Sequence, residues 1–167
     1  MPGKPAARAI GDTTAHPLPP NLSPGPGSPN VKIGFLNAWR GIPLAAAAAL
    51  QAAKQLADTA IKTAQAASTA AAGTPAAPAA KAAEEAAKAA ALSAMSSAIT
   101  SAAAGADIHS CVTPFPVPPH GPGVDISGSA TVMINNLPAG RMGDTILEAI
   151  GPPNKITKGE TTVLIGG

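Results

Sequence analysis

The sequence predicts a mainly β fold, a small three-sided structure of short strand repeats that is interrupted by an antiparallel α-helical hairpin. Three observations lead to this prediction. Segments with alternating apolar residues recur near both ends of the 167-residue chain. Proline and glycine lie around those segments, where they permit sharp changes of chain direction. A long alanine-rich segment separates the two ends.

The composition limits how the fold can be stabilised. Apolar residues make up 46% of the chain, but alanine supplies most of them, and aromatic residues make up only 2%. Alanine buries little area, so a conventional core that gains about 25 cal/mol per Å² is thin. We therefore expect another source of stability.

Three regions follow one another along the chain. Residues 1–43 are rich in proline and glycine, residues 44–104 are mostly alanine, and residues 105–167 return to proline, glycine and β-branched residues. The two outer regions resemble each other, and the middle region resembles neither. This pattern predicts one β-rich domain formed by 1–43 and 105–167, with 44–104 as an insertion.

The outer regions contain an internal repeat. The segments PNVKIGFLNAWR (29–40), ATVMINNLPAGR (130–141) and TTVLIGG (161–167) align without gaps. Their matching apolar positions are Val31, Val132 and Val163, and Ile33, Ile134 and Ile165. A second element recurs as PAARAIGDT (5–13) and PAGRMGDT (138–145). One short strand cannot bury its own apolar face, but three such units can wrap around a shared axis.

The middle region predicts two helices. Its first part, from Leu44, has high helix propensity throughout. The segment GTPAAP (73–78) interrupts it, and Gly105 can end the second helix. The short connection favours an antiparallel hairpin.

Charged residues on this hairpin follow helical spacing, as in Lys54, Asp58 and Lys62. Charges in the middle of a helix are expensive in lipid. We therefore expect a hairpin that meets water or a partner rather than a membrane span. The large apolar residues lie toward the start of the first helix and the end of the second, which predicts that the root of the hairpin packs on the β domain. These residues are Leu44, Leu50, Leu56, Ile61, Leu92, Met95 and Ile99.

Charge, cysteine count and the N-terminal residues exclude several classes. A net charge of +2 without a basic cluster gives no support for nucleic-acid binding. One cysteine excludes an intramolecular disulfide. The first residues, MPGKPAARAIGD, lack the apolar stretch of a signal peptide. We expect a protein that assembles in the cytoplasm and leaves the cell, if it does, by another route.

The repeats resemble the PAAR family of spike-tip proteins. The motifs that carry the resemblance are PAAR (5–8), HGPGVDISGSATVMINNLPAGRMGDT (120–145) and GPPNKITKGETTVLIGG (151–167). The resemblance covers nearly all of the chain outside 44–104. It implies a small cone that caps the trimeric spike, of the valine-glycine-repeat (VgrG) type, of a type VI secretion or related contractile injection system. The alanine-rich insertion departs from the usual family pattern.

The resemblance also implies one structural zinc ion near the point of the cone, bound by histidine and cysteine. The chain has four such residues, and structural zinc sites take four ligands. The expected ligands are His16, His109, Cys111 and His120. In an extended strand His109 and Cys111 point to the same side. A bound zinc would supply the missing stability, because structural metal binding is itself folding free energy.

No catalytic motif accompanies these residues. The chain has no H-E-x-x-H sequence, and Asp12 and Asp144 lie in the recurring Gly-Asp-Thr turns, where they stabilise turns rather than transfer protons. The expected function is therefore structural and not enzymatic. The tip would sharpen the spike, touch the target membrane transiently and leave the cell with the spike. The alternative is an adaptor plug whose hairpin, 44–104, docks a toxin effector or a chaperone.

Overall fold

A computed structural model describes residues 2–15, 25–111 and 120–167 of the chain. Within these ranges the chain forms two helices and several small antiparallel sheets. With 36% helix and 27% strand, this is a mixed α/β fold. The small antiparallel sheets and the helical hairpin are present, but the expectation that the chain is mainly β is not confirmed. The alanine-rich insertion contributes more helical residues than the very short strands contribute strand residues. The elements in chain order are β1 (Lys4–Ala6), β2 (Lys32–Ile33), β3 (Leu36–Asn37), α1 (Leu44–Ala70), α2 (Ala77–Ala103), β4 (Ile108–Cys111), β5 (Gly121–Asp125), β6 (Met133–Ile134), β7 (Leu137–Pro138), β8 (Thr145–Glu148), β9 (Asn154–Lys155) and β10 (Glu160–Ile165).

The two helices form the predicted hairpin. Pro43 directly precedes α1 and has a non-helical backbone conformation, so the helix begins at Leu44. Gly73 takes a left-handed φ of +78° in the connection, as a residue without a Cβ can do at low cost. Ala104 and Gly105 end α2 in the same left-handed region. Among the described residues, neither helix is long and apolar enough to cross a membrane.

The root of the hairpin packs on the sheet that follows it. Leu50 of α1 and Met95 and Ile99 of α2 are buried in one cluster with residues of β5 and β8, including Val124 and Leu147. This confirms the predicted docking of the root. Other apolar residues of α1 do not share in it, since Leu44 is 55% and Leu56 is 75% exposed.

Three two-stranded units enclose a second, smaller core. Strand β2 pairs with β3 within the repeat 29–40, and β6 pairs with β7 within the repeat 130–141. Strand β1 pairs with β10, so the third unit combines the two ends of the chain. Each unit contributes one isoleucine and one alanine to the core, which consists of Ile33, Ile134 and Ile165 with Ala6, Ala38 and Ala139. The aligned isoleucines of the repeat therefore lie together in space.

Closed rings of backbone hydrogen bonds join the three units. The N–H of Ala7 donates to Gly140, that of Gly140 to Trp39, and that of Trp39 back to Ala7, each at 2.9 Å. A second set, from Ala9 to Asn37, from Gly41 to Pro138 and from Met142 to Pro5, joins the three units in the opposite direction, each at 2.8 Å. The three units are thus arranged around one axis, and each supplies the same backbone positions.

An arginine and an aspartate close a turn after each unit. In all three turns the aspartate accepts hydrogen bonds from the arginine backbone N–H, from Nε and from Nη2, at 2.7–3.2 Å. The pairs are Arg8 with Asp12, Arg40 with Asp107, and Arg141 with Asp144. This confirms the turn-stabilising role predicted for Asp12 and Asp144. It also shows that the hairpin lies inside the second turn, between Arg40 and Asp107, rather than simply after a repeat.

Candidate metal centre

Strand β4 carries two of the four expected metal ligands. Its residues alternate between half-buried and buried, and the buried positions are His109, which is 0% exposed, and Cys111, which is 2% exposed. The period of two along a strand places both on the same face, as the spacing predicts. Cys111 is a free cysteine.

The neighbouring strands place a glycine and then a glutamate beside His109. In the four-stranded sheet β4–β5–β8–β9, His109 pairs with Gly123 and Gly123 pairs with Glu148. A Cβ added at Gly123 would lie 3.1 Å from Cγ of Glu148 and 3.3 Å from Cδ2 of His109. The missing side chain at Gly123 therefore lets the side chains of His109 and Glu148 meet over the middle strand.

Glu148 contacts both histidines that the structure describes at this site. One carboxylate oxygen, Oε1, lies 3.4 Å from Nε2 of His109. The other, Oε2, lies 2.7 Å from Nδ1 of His120, a hydrogen-bonding distance. The Glu148 side chain is fully buried. Burial of a carboxylate is costly unless charged or polar groups compensate it, so this residue belongs to the site.

The sequence analysis did not identify Glu148. It lies 28 residues after His120 in no recognised motif, and the search for an acidic group considered only metalloprotease spacing. The one local signal is a charged residue at the end of the apolar strand TILE, whose last three positions are all buried.

His120 lies at the edge of the site. Its side chain is 16% exposed, and its ring lies against Gly151, where an added Cβ would be 3.1 Å from Nε2. A cleft of about 420 Å³ between the hairpin and this loop is lined by His120 and Gly151 together with Asp58, Lys62 and Lys88. The inserted hairpin therefore flanks one side of the site.

The structure tests only part of the expected ligand set. His16 lies outside the described residues. In the ranges 2–15, 25–111 and 120–167, no group of three or more His, Cys, Asp or Glu side chains is arranged to hold a metal ion. His109 and His120 nevertheless converge on one buried carboxylate, and Cys111 shares the buried face of β4. Imidazole and thiolate are donors that zinc takes in structural sites, so these residues fit zinc in kind.

Another buried carboxylate, Asp125, lies beside Gly41 and Gly140, where an added Cβ would be 3.1 and 3.2 Å from its Oδ2. Burial raises the pKa of Asp125 to about 8, and the nearby charge of Asp144 adds to the increase. Its Oδ1 accepts a hydrogen bond from the Ser127 N–H at 2.9 Å, and its Oδ2 has no hydrogen-bond partner among the described residues. Asp125 therefore holds a proton near neutral pH as part of the core.

The three units also leave large apolar side chains exposed. Phe35 is 96% exposed in the turn of the first hairpin, Met133 is 55% exposed on β6, and Leu164 is 61% exposed on β10. We call these residues the exposed apolar residues of the units. An exposed apolar side chain on each unit marks a candidate surface for a protein partner.

Phe35 is also held in an unfavourable backbone conformation. Its φ is +69°, in the left-handed region that side chains other than glycine, asparagine and aspartate rarely adopt. The equivalent turn of the other hairpin uses Asn135 and Asn136, with φ of +53° and +62°. Asparagine tolerates this conformation, whereas in Phe35 it is destabilising. Contacts of the Phe35 ring do not offset this cost, because the ring contacts little of its own chain.

Comparison of the chain with protein-family models, with curated proteins and with solved structures found no match.

Proposed function

We propose that the chain is a PAAR-like tip that caps the trimeric VgrG-type spike of a type VI secretion or related contractile injection system. The observation that carries the proposal is the ring of three equivalent units, closed by cyclic backbone hydrogen bonds among Ala7, Trp39 and Gly140. A single chain with three similar sides is suited to a three-fold partner, because each subunit of the trimer then meets an equivalent surface.

The exposed apolar residues of the units support this reading. A spike cap needs side chains that gain free energy by burial against the spike, and Phe35, Met133 and Leu164 provide one large apolar group from each unit. The strained backbone of Phe35 is also typical of functional sites, where local strain persists because the position serves a contact.

Binding to a purified trimeric VgrG-type spike protein tests the proposal. We expect a complex of one chain per trimer by native mass spectrometry, and a loss of at least tenfold in affinity for the double variant Met133→Glu and Leu164→Glu. Leu56→Glu is the matched control, because Leu56 is 75% exposed on α1, away from the three units. No complex with the wild-type chain, or equal affinities for both variants, would contradict the proposal.

We propose that the tip contains one structural zinc ion and is not an enzyme. His109, Cys111 and His120 would hold the metal together with His16. The metal would tie β4, β5 and the segments beside them into one rigid point, which a core built largely from alanine does not do alone. Native mass spectrometry should show one zinc per chain, and Cys111→Ser should lower both zinc content and thermal stability. A metal-free native chain with an unchanged Cys111→Ser variant would exclude this site.

A second function, an adaptor plug, is favoured by the middle part of the hairpin. A groove of about 440 Å³ runs between the helices and is lined by eight alanines, with Leu56 and Met95. Such a surface suits an effector or chaperone helix, since small residues permit close approach.

We propose that the tip assembles in the cytoplasm and leaves the cell together with the spike.

Shortening the hairpin separates the two functions. Removal of 53–70 and 77–94, with the connection 71–76 kept, takes away eight of the ten residues that line the groove but keeps Leu50, Met95 and Ile99, which pack on the sheet. If spike binding survives and effector delivery fails, the hairpin is an adaptor. If both survive, the adaptor function is excluded.

A further inference from the structure

We propose that Glu148 is the positioning carboxylate of the metal centre: it fixes the ring of His120, draws His109 toward the same point and balances the charge of the bound ion. This inference rests on the zinc site of the proposed function. It places a residue of β8 beside a ligand set that consists of His109 and Cys111 of β4, His120 and His16.

The contacts of Glu148 define the role. A histidine has two ring nitrogens, and a metal-bound histidine typically donates its second N–H to a carboxylate or a carbonyl, which fixes the ring and the tautomer. Oε2 of Glu148 lies 2.7 Å from Nδ1 of His120. If Nδ1–H donates to Glu148, the nitrogen left for the metal is Nε2. Oε1 lies 3.4 Å from the His109 ring, so the same carboxylate faces both histidines.

The charges at the site favour this arrangement. Zn²⁺ with one Cys111 thiolate and neutral histidines carries a net charge of +1, and an uncompensated charge is costly in a buried site. Glu148 and His109 are both fully buried. The Glu148 carboxylate brings the net charge to zero, and the bound ion in turn compensates the buried carboxylate.

The backbone holds Glu148 in place. Glu148 pairs with Gly123 at the end of the β5–β8 ladder, and the glycine leaves room for Glu148 and His109 to approach each other. The position is thus built by two strands rather than by a flexible loop. Paired strands fix the position of the Glu148 carboxylate more precisely than a loop does, as a positioning residue requires.

Zinc affinity of the full chain tests the role. Zinc alone is the probe, measured by competition with a chromophoric chelator. We expect Glu148→Gln to lower the zinc affinity about 10–100-fold, the usual effect of removing an outer-shell partner of a metal ligand. The matched control is Glu84→Gln, because Glu84 is also a buried, ion-paired glutamate but lies in the hairpin. An affinity within twofold of wild type for Glu148→Gln would overturn the inference while leaving the zinc site standing.

Failure of the zinc site itself has a different result. If the wild-type chain binds no zinc, both this inference and the metal part of the proposed function fail together. If wild type and Glu84→Gln bind zinc alike and only Glu148→Gln is weakened, both stand.

Two spectroscopic measurements cover the case in which Glu148→Gln does not fold, and they separate positioning from direct ligation. In zinc-loaded wild type, ¹⁵N NMR should show His120 bound to the metal through Nε2 with Nδ1 protonated. Metal binding through Nδ1 would overturn the role, because that nitrogen faces Glu148. X-ray absorption at the zinc edge should show only nitrogen and sulfur ligands from the protein. A carboxylate oxygen in the first shell would make Glu148 a ligand and would overturn the positioning role.

Discussion

Arg40 and Asp107 form the same turn-closing pair as Arg8 with Asp12 and Arg141 with Asp144, although 67 residues separate them instead of four or three. The two helices leave the turn after Arg40 and return before Asp107. The inserted hairpin is therefore accommodated within one turn of a three-unit ring without changing the contacts that close that turn.

Removal of the Asp107 carboxylate should be strongly destabilising. Arg40 is 7% exposed and Asp107 is 0% exposed, so Asp107→Ala leaves a buried guanidinium without its partner. We expect a loss of about 3–5 kcal/mol in the free energy of unfolding, measured by urea denaturation. Glu85→Ala, at an exposed pair with Lys81, should cost far less, because an ion pair exposed to water contributes little to stability. Equal losses in the two variants would show that the Arg40 turn is not a buried ion pair in solution.

Trp39 fills space that the other two units leave empty. At equivalent places in the ring the chain has Ala7, Trp39 and Gly140, and only Trp39 is large. It is fully buried, and a Cβ at Gly140 would lie 2.8 Å from its Cδ1. Trp39→Ala should lower the free energy of unfolding by about 3–5 kcal/mol, because it opens a cavity that the small neighbours Ala7 and Gly140 cannot fill. A loss below about 1 kcal/mol by urea denaturation would contradict the packing described for Trp39.

The sequence predicted the repeat but not how the repeat closes. Ile33, Ile134 and Ile165 were aligned by their alternation with neighbouring residues, and they lie in one core. The third unit combines β10 with β1, and no local pattern connects strands at opposite ends of a chain. Asp107 was missed for the same reason, since its partner Arg40 is distant in sequence.

The candidate site was predicted in part. His109 and Cys111 share a buried face because a strand has a period of two, which the sequence shows directly. Glu148 joins them only through the pairing of three strands, and this pairing depends on the register at Gly123. His16 lies outside the described residues, and its place in the ligand set stays a prediction.

Phe35 should lower the stability of the folded chain and strengthen its binding to the spike trimer. Phe35→Asn gives this turn the residue that the equivalent turn has at Asn136, and asparagine tolerates the left-handed backbone at lower cost. We expect a gain of about 1 kcal/mol in the free energy of unfolding and a weaker complex with the spike trimer. Surface plasmon resonance with the purified trimer measures the second effect. A more stable variant with unchanged affinity would remove Phe35 from the binding surface.

Gly123 should not tolerate an added side chain. A Cβ there would lie 2.9 Å from Cγ2 of Ile146 as well as close to Glu148 and His109, so Gly123→Ala forces the strands apart. We expect lower thermal stability and weaker zinc binding. Gly166→Ala is the control, because an added Cβ at Gly166 meets nothing within 4 Å. Equal melting temperatures and zinc affinities for the two variants would contradict the geometry of the β4–β5–β8 ladder.

Asp125 should make the stability depend on pH. Burial, with the charge of Asp144, raises its pKa from 3.8 to about 8, so the folded chain retains a proton that the unfolded chain releases near pH 4. The contribution of this proton is therefore complete below pH 4 and is lost as the pH rises to about 8, where the loss is of the order of 5 kcal/mol.

Asp125→Asn isolates this effect from the other ionisable groups. The amide resembles the protonated carboxyl in shape, keeps an oxygen for the Ser127 N–H and does not titrate. The variant and the wild type should therefore be about equally stable at pH 4, and the variant should become the more stable of the two as the pH approaches 8. Urea denaturation across this range measures the difference. Parallel stability curves would show that Asp125 ionises in the folded chain near its ordinary pKa, and that its carboxylate is therefore reached by water or by a compensating charge.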